Sequence, residues 1–343
     1  MPASKFKSRF RIGDREVGAD APVFVIAEAG VAHFGDMDLA RQLVDLAAEA
    51  GADIFKTQVF DVDELIAESA PDWRDRLRPR NLSLPQFQEL KERCDAAGLL
   101  FMATAHDASR IDWLRELDVP AVKVGSGERN NPEFLSQLAQ LGKPMIVSTG
   151  MYRESDVTEA LDALSNAGMD EVALLHCVTS YPTPESDVNL SAMDALQSIF
   201  PGPVGYSDHT EDHLAILSAV ARGASIVEKH ITILRDIPDA QDWRVSAGPD
   251  DFPGLVRDIR RIETLLGHGR KEPAPSEVDA QAWALKSVVA SRDLAEGLII
   301  SREDLATKRP GTGVLSNRLP EFIGRTLARD VVADEALSFE DLV

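Results

Sequence analysis

The feature that most constrains the fold is a repeated alternation between short apolar runs and longer amphipathic stretches. The short runs, rich in β-branched residues, are Val23–Ala29, Asp53–Thr57, Leu100–Thr104, Ala121–Val124, Pro144–Ser148, Val172–His176, Val204–Ser207 and Ser225–Lys229. Each is followed by apolar residues at helical spacing, from Asp38–Ala50 to Pro249–Leu266. The pattern predicts an α/β protein built as a (β/α)8 barrel, with a doubly wound parallel sheet as the alternative.

The chain changes character after Leu266. Gly267–Ser276 is rich in Gly, Pro and charge, which is typical of a linker. The segments Ser287–Ala290, Leu298–Ile300 and Thr326–Val332 then predict short strands separated by tight turns. We therefore predict a barrel domain over residues 1–268, a linker over 269–282 and a small β-rich domain over 283–343. Within the barrel, the connection Val59–Asn81 is long enough to indicate a functional loop.

Net charge excludes some classes of partner. The 343 residues carry a formal charge of −21, which argues against nucleic acid and anionic membrane surfaces, since both require a basic patch. No stretch reaches the roughly 18 apolar residues that span a bilayer, so a cytoplasmic protein is expected. Cys94 and Cys177 lie in no metal-binding or disulfide spacing, and we expect buried, reduced thiols.

Polar residues stand where the predicted strands end, and barrel active sites lie at that end. The residues in these positions are Glu28, Lys56, Gln58, Thr104, Lys123, Ser126, Glu128, Ser148, His176, Tyr181, Ser207, Asp208, His209, Lys229 and His230. A buried ammonium is costly unless it meets an anion. The three lysines among them could each pair with a barrel carboxylate; together with the serines, they favour a bound phosphate or carboxylate. The expected ligand is a small molecule with several negative charges.

Two of the seven histidines are candidate metal ligands. His209 and His230 end neighbouring strands and could face one ion. Two imidazoles alone would leave the site open to water or substrate oxygens, and spacing by itself leaves open whether a metal binds.

Several motifs together resemble one family. They are Ile26–His33 (IAEAGVAH), Gly51–Gln58 (GADIFKTQ), Lys123–Glu128 (KVGSGE), Ser148–Met151 (STGM), Leu175–Pro184 (LHCVTSYPTP), Gly205–Thr210 (GYSDHT) and Glu228–His230 (EKH). In this order they are similar to the sialic acid synthases, the N-acetylneuraminate synthases and their bacterial relatives. Lys308–Gly313 (KRPGTG) and Ile323–Arg325 resemble the antifreeze-like (SAF) domain that ends those enzymes. The resemblance runs from about Val23 to Val343.

The resemblance implies a transferase that condenses phosphoenolpyruvate with an amino-sugar aldehyde and water, giving a nine-carbon 2-keto acid and phosphate. It places phosphoenolpyruvate on Lys56, Thr104, Lys123, Ser126, Ser148, Thr179 and Ser207. It places a divalent ion, Mn²⁺ or Mg²⁺, on His209 and His230. It also implies a domain-swapped homodimer, in which Arg309 of one subunit reaches the acceptor in the other.

Further roles follow from the same resemblance. Glu28 and Glu128 are expected to do acid/base or cation-stabilising work, although Glu28 could instead be a partner for Lys56 at the bottom of the barrel. Gln58 and Tyr181 would orient the acceptor, and Asp242 would bind its hydroxyls. Thr179 is a weaker match, since its hydroxyl could simply cap a loop.

The chain departs from the family pattern near the expected sugar. Ala32 and Phe34 stand where the family usually has two asparagines, and Trp243–Arg244 replace His-Lys within Asp239–Ser246. The acceptor could therefore be N-acetylmannosamine, its phosphate or a deoxy diacetamido hexose. Two other functions are alternatives: a related lyase or keto-acid synthase acting on a sugar phosphate, which does not explain the tail, and a non-catalytic carbohydrate-binding protein, which does not explain the complete set of lysines and histidines.

Overall fold

The computed structural model describes residues 5–237 and 242–343, and the chain divides into two compact units, Met1–Gly267 and His268–Val343. Across these two described ranges, no helix is long and apolar enough to cross a membrane.

The first unit alternates strands and helices. Its strands are β1 (Arg9–Ile12), β2 (Arg15–Gly18), β3 (Phe24–Gly30), β4 (Ile54–Val59), β5 (Leu100–Ala105), β6 (Val122–Val124), β7 (Met145–Ser148), β8 (Val172–Cys177), β9 (Val204–Asp208) and β10 (Ile226–His230). Its helices are α1 (Met37–Ala50), α2 (Val62–Leu65), α3 (Pro71–Leu77), α4 (Leu84–Ala96), α5 (Ile111–Glu116), α6 (Pro132–Ala139), α7 (Glu154–Asn166), α8 (Glu185–Val188), α9 (Ala192–Ile199), α10 (Leu214–Ala221) and α11 (Phe252–Leu266).

Local chemistry sets these bounds, as α1 illustrates. Asp36 caps its start by accepting from the backbone N–H groups of Asp38 and Leu39. Gly51 ends it in the left-handed conformation, at φ 77°, where a side chain would be strained. Between the caps, Leu43, Val44 and other apolar residues face the sheet and are buried. The helix therefore packs one face against the barrel.

The sheet confirms the barrel prediction. Its order is β5-β4-β3-β10-β9-β8-β7-β6, and every paired neighbour is parallel. The two end strands, β5 and β6, lie against each other, so the sheet nearly closes on itself. All eight predicted strands are present, with bounds shifted by one or two residues. Their carboxyl ends consequently meet at one mouth.

An N-terminal hairpin, absent from the sequence-based prediction, closes the opposite end. β1 and β2 pair antiparallel, and Phe10, Ile12 and Val17 pack against inward-facing side chains near the start of the barrel strands, such as Phe24 and Ile26. This end of the barrel interior is therefore filled by apolar side chains, which leaves the carboxyl end as the place for a polar site.

The second unit is small and β-rich. Helix α12 (Val278–Ala284) lies partly inside the predicted linker, and β11 (Ser287–Ala290) pairs antiparallel with β12 (Leu305–Lys308). Two predicted strands form only isolated bridges, Ile299 to Thr326 and Leu294 to Val331. Apolar residues including Val288, Phe322 and Leu327 form its own core.

Candidate active site

A cavity of about 250 Å³ opens at the carboxyl ends of the barrel strands, and every barrel strand contributes to its wall. Its lining residues are Glu28, Lys56, Gln58, Thr104, His106, Lys123, Gly125, Ser126, Gly127, Ser148, Cys177, Thr179, Tyr181, Ser207, His209, Glu228, His230 and Asp242. We call it the first cavity. It brings together the sequence-predicted site residues except Glu128, His176, Asp208, Lys229 and Arg309.

Two buried ammonium groups stand in the first cavity beside hydroxyls. Lys56 Nζ lies 2.7 Å from Glu28 Oε2 and 3.3 Å from Thr104 Oγ1, while Lys123 Nζ donates to Ser148 Oγ at 2.8 Å. Burial lowers the pKa of Lys56, but the Glu228 and Glu28 carboxylates outweigh it and hold that pKa above its usual value. For Lys123, burial prevails and the pKa is lowered. The two buried ammonium groups, together with the hydroxyls beside them, can bind an anion that enters the cavity.

Glu228 is a site residue that the sequence reasoning missed. Its Oε1 accepts from Ser207 Oγ at 3.0 Å, and its Oε2 lies 3.5 Å from Lys123 Nζ and 3.9 Å from Lys56 Nζ. Burial raises its pKa, but the two ammonium groups outweigh burial and lower the pKa to about 2. Glu228 is therefore an anion that shares both lysines.

Lys229 does not face the cavity, so the expectation of three cavity lysines was wrong. Side chains alternate along a strand, and on β10 Glu228 and His230 point inward while Lys229 points outward. Lys229 Nζ donates to Asp208 Oδ2 and Thr210 O, each at 2.7 Å. Asp208 also accepts from the Tyr206 hydroxyl at 3.1 Å. This buried network holds the loop that carries His209.

We expect Lys229→Met to lower the free energy of unfolding by about 3–5 kcal/mol, because it leaves the Asp208 carboxylate buried without its cation. Urea unfolding followed by circular dichroism measures this. Lys143→Met is the matched control, since Lys143 pairs with the exposed Asp118 at the surface and its loss should cost less than about 1 kcal/mol. Equal effects of the two substitutions would contradict the assigned role of the buried pair.

His209 and His230 lie together in the cavity, with ring centroids 5.3 Å apart. His209 Nδ1 lies 2.7 Å from Val178 O, a contact that makes Nδ1 the protonated nitrogen and leaves the Nε2 lone pair free for a ligand. Burial lowers the pKa of both rings, that of His230 to about 4, so both are neutral at pH 7. Within residues 5–237 and 242–343 no cluster of three or more His, Cys, Asp or Glu side chains is arranged to hold a metal. The pair therefore fits a divalent ion whose remaining ligands come from water or substrate.

The hydroxyl side of the cavity depends on a glycine. Ser126 Oγ accepts from the Gly150 N–H at 2.9 Å. A Cβ at Gly150 would lie 2.3 Å from Thr179 Oγ1 and 2.8 Å from Ser126 Oγ. Gly150 thus lets both hydroxyls approach the same point, and Thr179 lines the cavity.

Glu28 lines the cavity and pairs there with Lys56, so this pair lies at the mouth of the barrel and not at its bottom. Gln58 Nε2 donates to Glu28 Oε1 at 3.3 Å. Burial raises the pKa of Glu28 despite the nearby Lys56 ammonium.

The Tyr181 ring lies against His209, with centroids 4.0 Å apart. His106, for which the sequence predicts no role, also lines this cavity.

A second cavity of about 410 Å³ adjoins the first and contains Glu128. It is lined by Val31, Gln58, Phe60, Leu65, Ile66, Trp73, Arg76, Leu77, Arg80, His106, Gly127, Glu128 and Asp242. Most of its wall comes from the long connection Val59–Asn81, as expected of a functional loop. Asn131 Nδ2 donates to Glu128 Oε2 at 2.7 Å, and burial raises the pKa of Glu128.

Three of the residues that depart from the family pattern lie close together in the structure. Ala32, Phe34 and Trp243 line a small recess together with Arg80 and Asp242. Arg244 instead pairs with Glu211 at 2.7 Å on the surface. Asp239–Gln241, the start of the departing segment, lie outside the described residues.

Arg309 belongs to the second unit. Its Nε donates to Ala284 O at 2.9 Å, and its guanidinium lies 5.8 Å from the Trp283 ring centroid.

Both cysteines are free and buried, as expected, and burial raises their pKa values, that of Cys177 to about 11.

Acid is expected to destabilise the fold partly through His33. Its ring is buried, Nδ1 accepts from the Gly35 N–H at 3.0 Å, and burial lowers its pKa to about 4 from the ordinary 6.5. Between these two values the unfolded chain binds a proton that the folded chain does not. The free energy of unfolding should therefore decrease as the pH is lowered through this range, by about 1.4 kcal/mol per pH unit for such a histidine.

Urea unfolding at pH 7.5, 6.0 and 5.0 measures this dependence. In His33→Gln, the free energy of unfolding should decrease less steeply on lowering the pH than it does in the unsubstituted chain. His268→Gln, at an exposed position, should not change the slope. An unchanged slope in His33→Gln would show that His33 does not contribute to the pH dependence of stability.

Known proteins resemble this chain over most of its length. The model of the NeuB family matches residues 43–271, and that of the SAF domain matches residues 286–343. The chain is 37% identical to the N,N'-diacetyllegionaminic acid synthase of Legionella pneumophila, over 96% of this chain and 97% of that one. It is 33% identical to the human N-acetylneuraminate-9-phosphate synthase, over 96% and 95%. A crystal structure of the N-acetylneuraminic acid synthetase of Leptospira borgpetersenii, in complex with citrate, superposes with a TM-score of 0.75 at 37% identity, covering 79% of this chain and 94% of that one.

Proposed function

Because this chain belongs to the NeuB family, we propose that it is a nonulosonic acid synthase, an enzyme that condenses phosphoenolpyruvate with the open-chain aldehyde of an N-acyl amino sugar. Water is consumed, and the products are a nine-carbon 2-keto acid and phosphate. The observation that carries the proposal is the first cavity, in which two buried ammonium groups and a row of hydroxyls face two neutral imidazoles.

Phosphoenolpyruvate is assigned to the lysine side. Its carboxylate and phosphate carry up to three negative charges, which Lys56 and Lys123 can pair. The hydroxyls of Thr104, Ser126, Ser148, Thr179 and Ser207 supply donors around them. Glu228, held between the two ammonium groups, offsets their charge while the site is empty and keeps both turned inward.

A divalent ion, Mn²⁺ or Mg²⁺, is assigned to His209 and His230. When bound there, it would supply Lewis-acid stabilisation of charge developing on the aldehyde oxygen. The support is the pair of neutral, inward-facing imidazoles.

Proton transfer is assigned to Glu28, because its carboxylate lines the first cavity and lies 2.7 Å from Lys56 Nζ and 3.3 Å from Gln58 Nε2. The aldehyde oxygen becomes an alkoxide as C3 of phosphoenolpyruvate bonds to the aldehyde carbon. Glu28 takes a proton from the water that adds at C2 and gives it to that alkoxide. The tetrahedral intermediate expels phosphate as the C2 hydroxyl becomes a carbonyl and gives its proton to the leaving phosphate.

Acceptor contacts are assigned to the residues between the cavities. Gln58 and Asp242 line both cavities, and Tyr181 stands beside His209. Glu128, which lines only the second of these two cavities, is assigned to the acceptor rather than to C2 of phosphoenolpyruvate.

We also propose a cytoplasmic, domain-swapped homodimer in which Arg309 contacts the acceptor of the partner subunit, supported by the matched SAF domain.

The proposed reaction is tested by measuring phosphate release. We expect release only when phosphoenolpyruvate, an N-acyl hexosamine and Mn²⁺ are all supplied, together with a product that gains three carbons by mass spectrometry. Release without the sugar would indicate a phosphatase. Release only with a sugar phosphate that lacks the acylamino group would indicate a related keto-acid synthase.

A further inference from the structure

His106 lines the first cavity but has no part in the proposed function so far. We propose that His106 is a further cationic ligand of phosphoenolpyruvate, which binds a proton when the anion enters the first cavity and donates a ring N–H to one of its phosphate or carboxylate oxygens. This inference rests on the proposed function and adds a ligand to its phosphoenolpyruvate site.

Strand geometry points His106 into the barrel mouth. Side chains alternate along β5, where Met102 packs in the barrel interior and Thr104 lines the first cavity. His106 is the next residue on that face, and its backbone N–H donates to Val59 O of β4 at 3.1 Å. The ring therefore lies one step nearer the mouth than Thr104, whose hydroxyl accepts from Lys56 Nζ at 3.3 Å.

His106 stands where three cavities meet. A third cavity, of about 350 Å³, adjoins the second, and its acidic lining residues are Glu64, Asp107, Glu128 and Glu133. Among the residues that the structure describes, His106 alone lines the first, the second and the third cavity. Glu64 and Glu133 are exposed. A proton can therefore reach the ring from solvent on the side away from the lysines.

The ring nitrogens of His106 are available to a ligand. In the described part of the chain, no protein group hydrogen-bonds to either of them. His209, by contrast, has its Nδ1 committed to Val178 O. A Cβ at Gly125 would lie 3.9 Å from His106 Cε1, so the ring lies beside the loop that carries Ser126. A protonated imidazole at this place has two N–H donors to offer to an anion.

The lysine side of the first cavity carries little positive charge for its expected ligand. Phosphoenolpyruvate brings up to three negative charges, whereas the described lysines on this side are Lys56 and Lys123. Glu228, itself an anion, lies 3.9 Å from Lys56 Nζ and 3.5 Å from Lys123 Nζ and offsets part of their charge. A further cation here would lower the cost of taking the anion out of water.

Several titratable and charged groups face the His106 ring. Those of the first cavity are Glu28, Lys56, Lys123, Glu228 and Asp242, with Cys177, Tyr181, His209 and His230. The second adds Arg76, Arg80 and Glu128, and the third adds Glu64, Asp107 and Glu133.

The two lysines decide the protonation of this ring. Burial, and then the Lys56 and Lys123 ammonium groups, lower the pKa of His106 to about 4, so the ring is neutral before the anion binds. An anion between these lysines offsets their charge and adds an opposite charge near the ring, which raises the pKa. The ring can then hold a proton at mildly acidic and neutral pH, and it returns that proton to solvent when the anion leaves.

Nuclear magnetic resonance of the unsubstituted chain, labelled with ¹³C at histidine Cε1 and supplied with Mg²⁺, measures this proton directly. The chain has seven histidines, and the signal lost in His106→Gln or in His106→Phe identifies His106. Without phosphoenolpyruvate, that signal should keep its neutral position from pH 8.0 down to pH 5.5. With saturating phosphoenolpyruvate, its titration midpoint should lie about one to three pH units higher. The midpoint of His268, which is exposed, should not move.

A binding measurement tests the same proton through affinity. Dissociation constants for phosphoenolpyruvate, from isothermal titration calorimetry without sugar, are compared between the unsubstituted chain and His106→Gln at pH 6.0 and pH 8.0. The ionisation of phosphoenolpyruvate itself affects both proteins alike. The loss of affinity in His106→Gln should be about three- to tenfold larger at pH 6.0 than at pH 8.0, because the imidazolium forms as the pH is lowered. His268→Gln should bind as the unsubstituted chain does at both pH values.

The outcomes separate the inference from the proposed function. Phosphoenolpyruvate that binds while His106 stays neutral, or a loss of affinity in His106→Gln that is equal at both pH values, would overturn the inference and leave the synthase function intact. A His106 signal that titrates at the ordinary value of 6.5 without the anion would also overturn it, since the two lysines would then not act on the ring. Phosphoenolpyruvate that does not bind the unsubstituted chain would overturn the proposed function itself.

Discussion

Replacing Lys123 with methionine is expected to lower phosphoenolpyruvate-dependent phosphate release by about a thousandfold. The substitution keeps much of the side-chain volume but removes the ammonium that donates to Ser148 and lies 3.5 Å from Glu228. Of its two ammonium partners Glu228 then keeps Lys56, at 3.9 Å, and its charge repels the incoming anion. Losing one buried charged donor at a reacting anion typically costs 10²–10³ in rate, and the unpaired carboxylate adds to that loss.

Steady-state kinetics with each substrate varied in turn provide the measurement. The KM for phosphoenolpyruvate should rise more than that for the sugar, because Lys123 is assigned to the anion side of the cavity. Lys91→Met is the control, since Lys91 pairs with Asp95 on the surface of α4 and should leave the rate unchanged. Full activity of Lys123→Met, with a normal melting profile, would refute the assigned phosphoenolpyruvate site.

Replacing His209 with alanine is expected to weaken Mn²⁺ binding by at least about a hundredfold and to lower phosphate release by about 10²–10³. The substitution removes one of two imidazole ligands from a site with few protein donors. It also removes the ring against which Tyr181 packs, so the acceptor loses part of its support. Titration of metal-free protein with Mn²⁺, followed by electron paramagnetic resonance, measures binding without depending on activity.

His268→Ala is the control for this experiment, because His268 lies outside the barrel unit and is exposed. It should bind Mn²⁺ as the unsubstituted chain does. Unchanged Mn²⁺ affinity in His209→Ala would show that Mn²⁺ does not bind at His209 and His230. Lost affinity with unchanged phosphate release would show that the ion is bound but that the reaction does not need it.

Strand positions were predictable because each strand carries its own signal. A run such as Val172–Cys177 is apolar on both sides, since one face meets the barrel interior and the other meets helices, and a flanking turn ends it. Polar residues interrupt these runs mainly toward their carboxyl ends. The sequence therefore identified the mouth of the barrel and most residues of the first cavity.

One error concerns the direction of a side chain, and another concerns a missed element. Lys229 was expected to face the cavity, but it is the neighbouring Glu228 that does so, because adjacent residues on a strand point to opposite faces. Counting from Ile226, which packs inside the barrel, would have placed Glu228 and His230 inward. The N-terminal hairpin was missed because β1 and β2 are each four residues long and carry little pattern.

By itself, the sequence determined the order of strands and helices, the change of character after Leu266 and the polar residues available at the strand ends. These properties depend on local periodicity, turn residues and composition, which can be read along the chain. Only the tertiary structure decided that Glu228 shares Lys56 and Lys123, that Glu128 stands in a separate cavity, and that Val31, Phe60 and Trp73 form one apolar wall. Those relations arise between segments far apart in sequence, and their geometry is set by barrel closure and packing, for which no local pattern carries a signal.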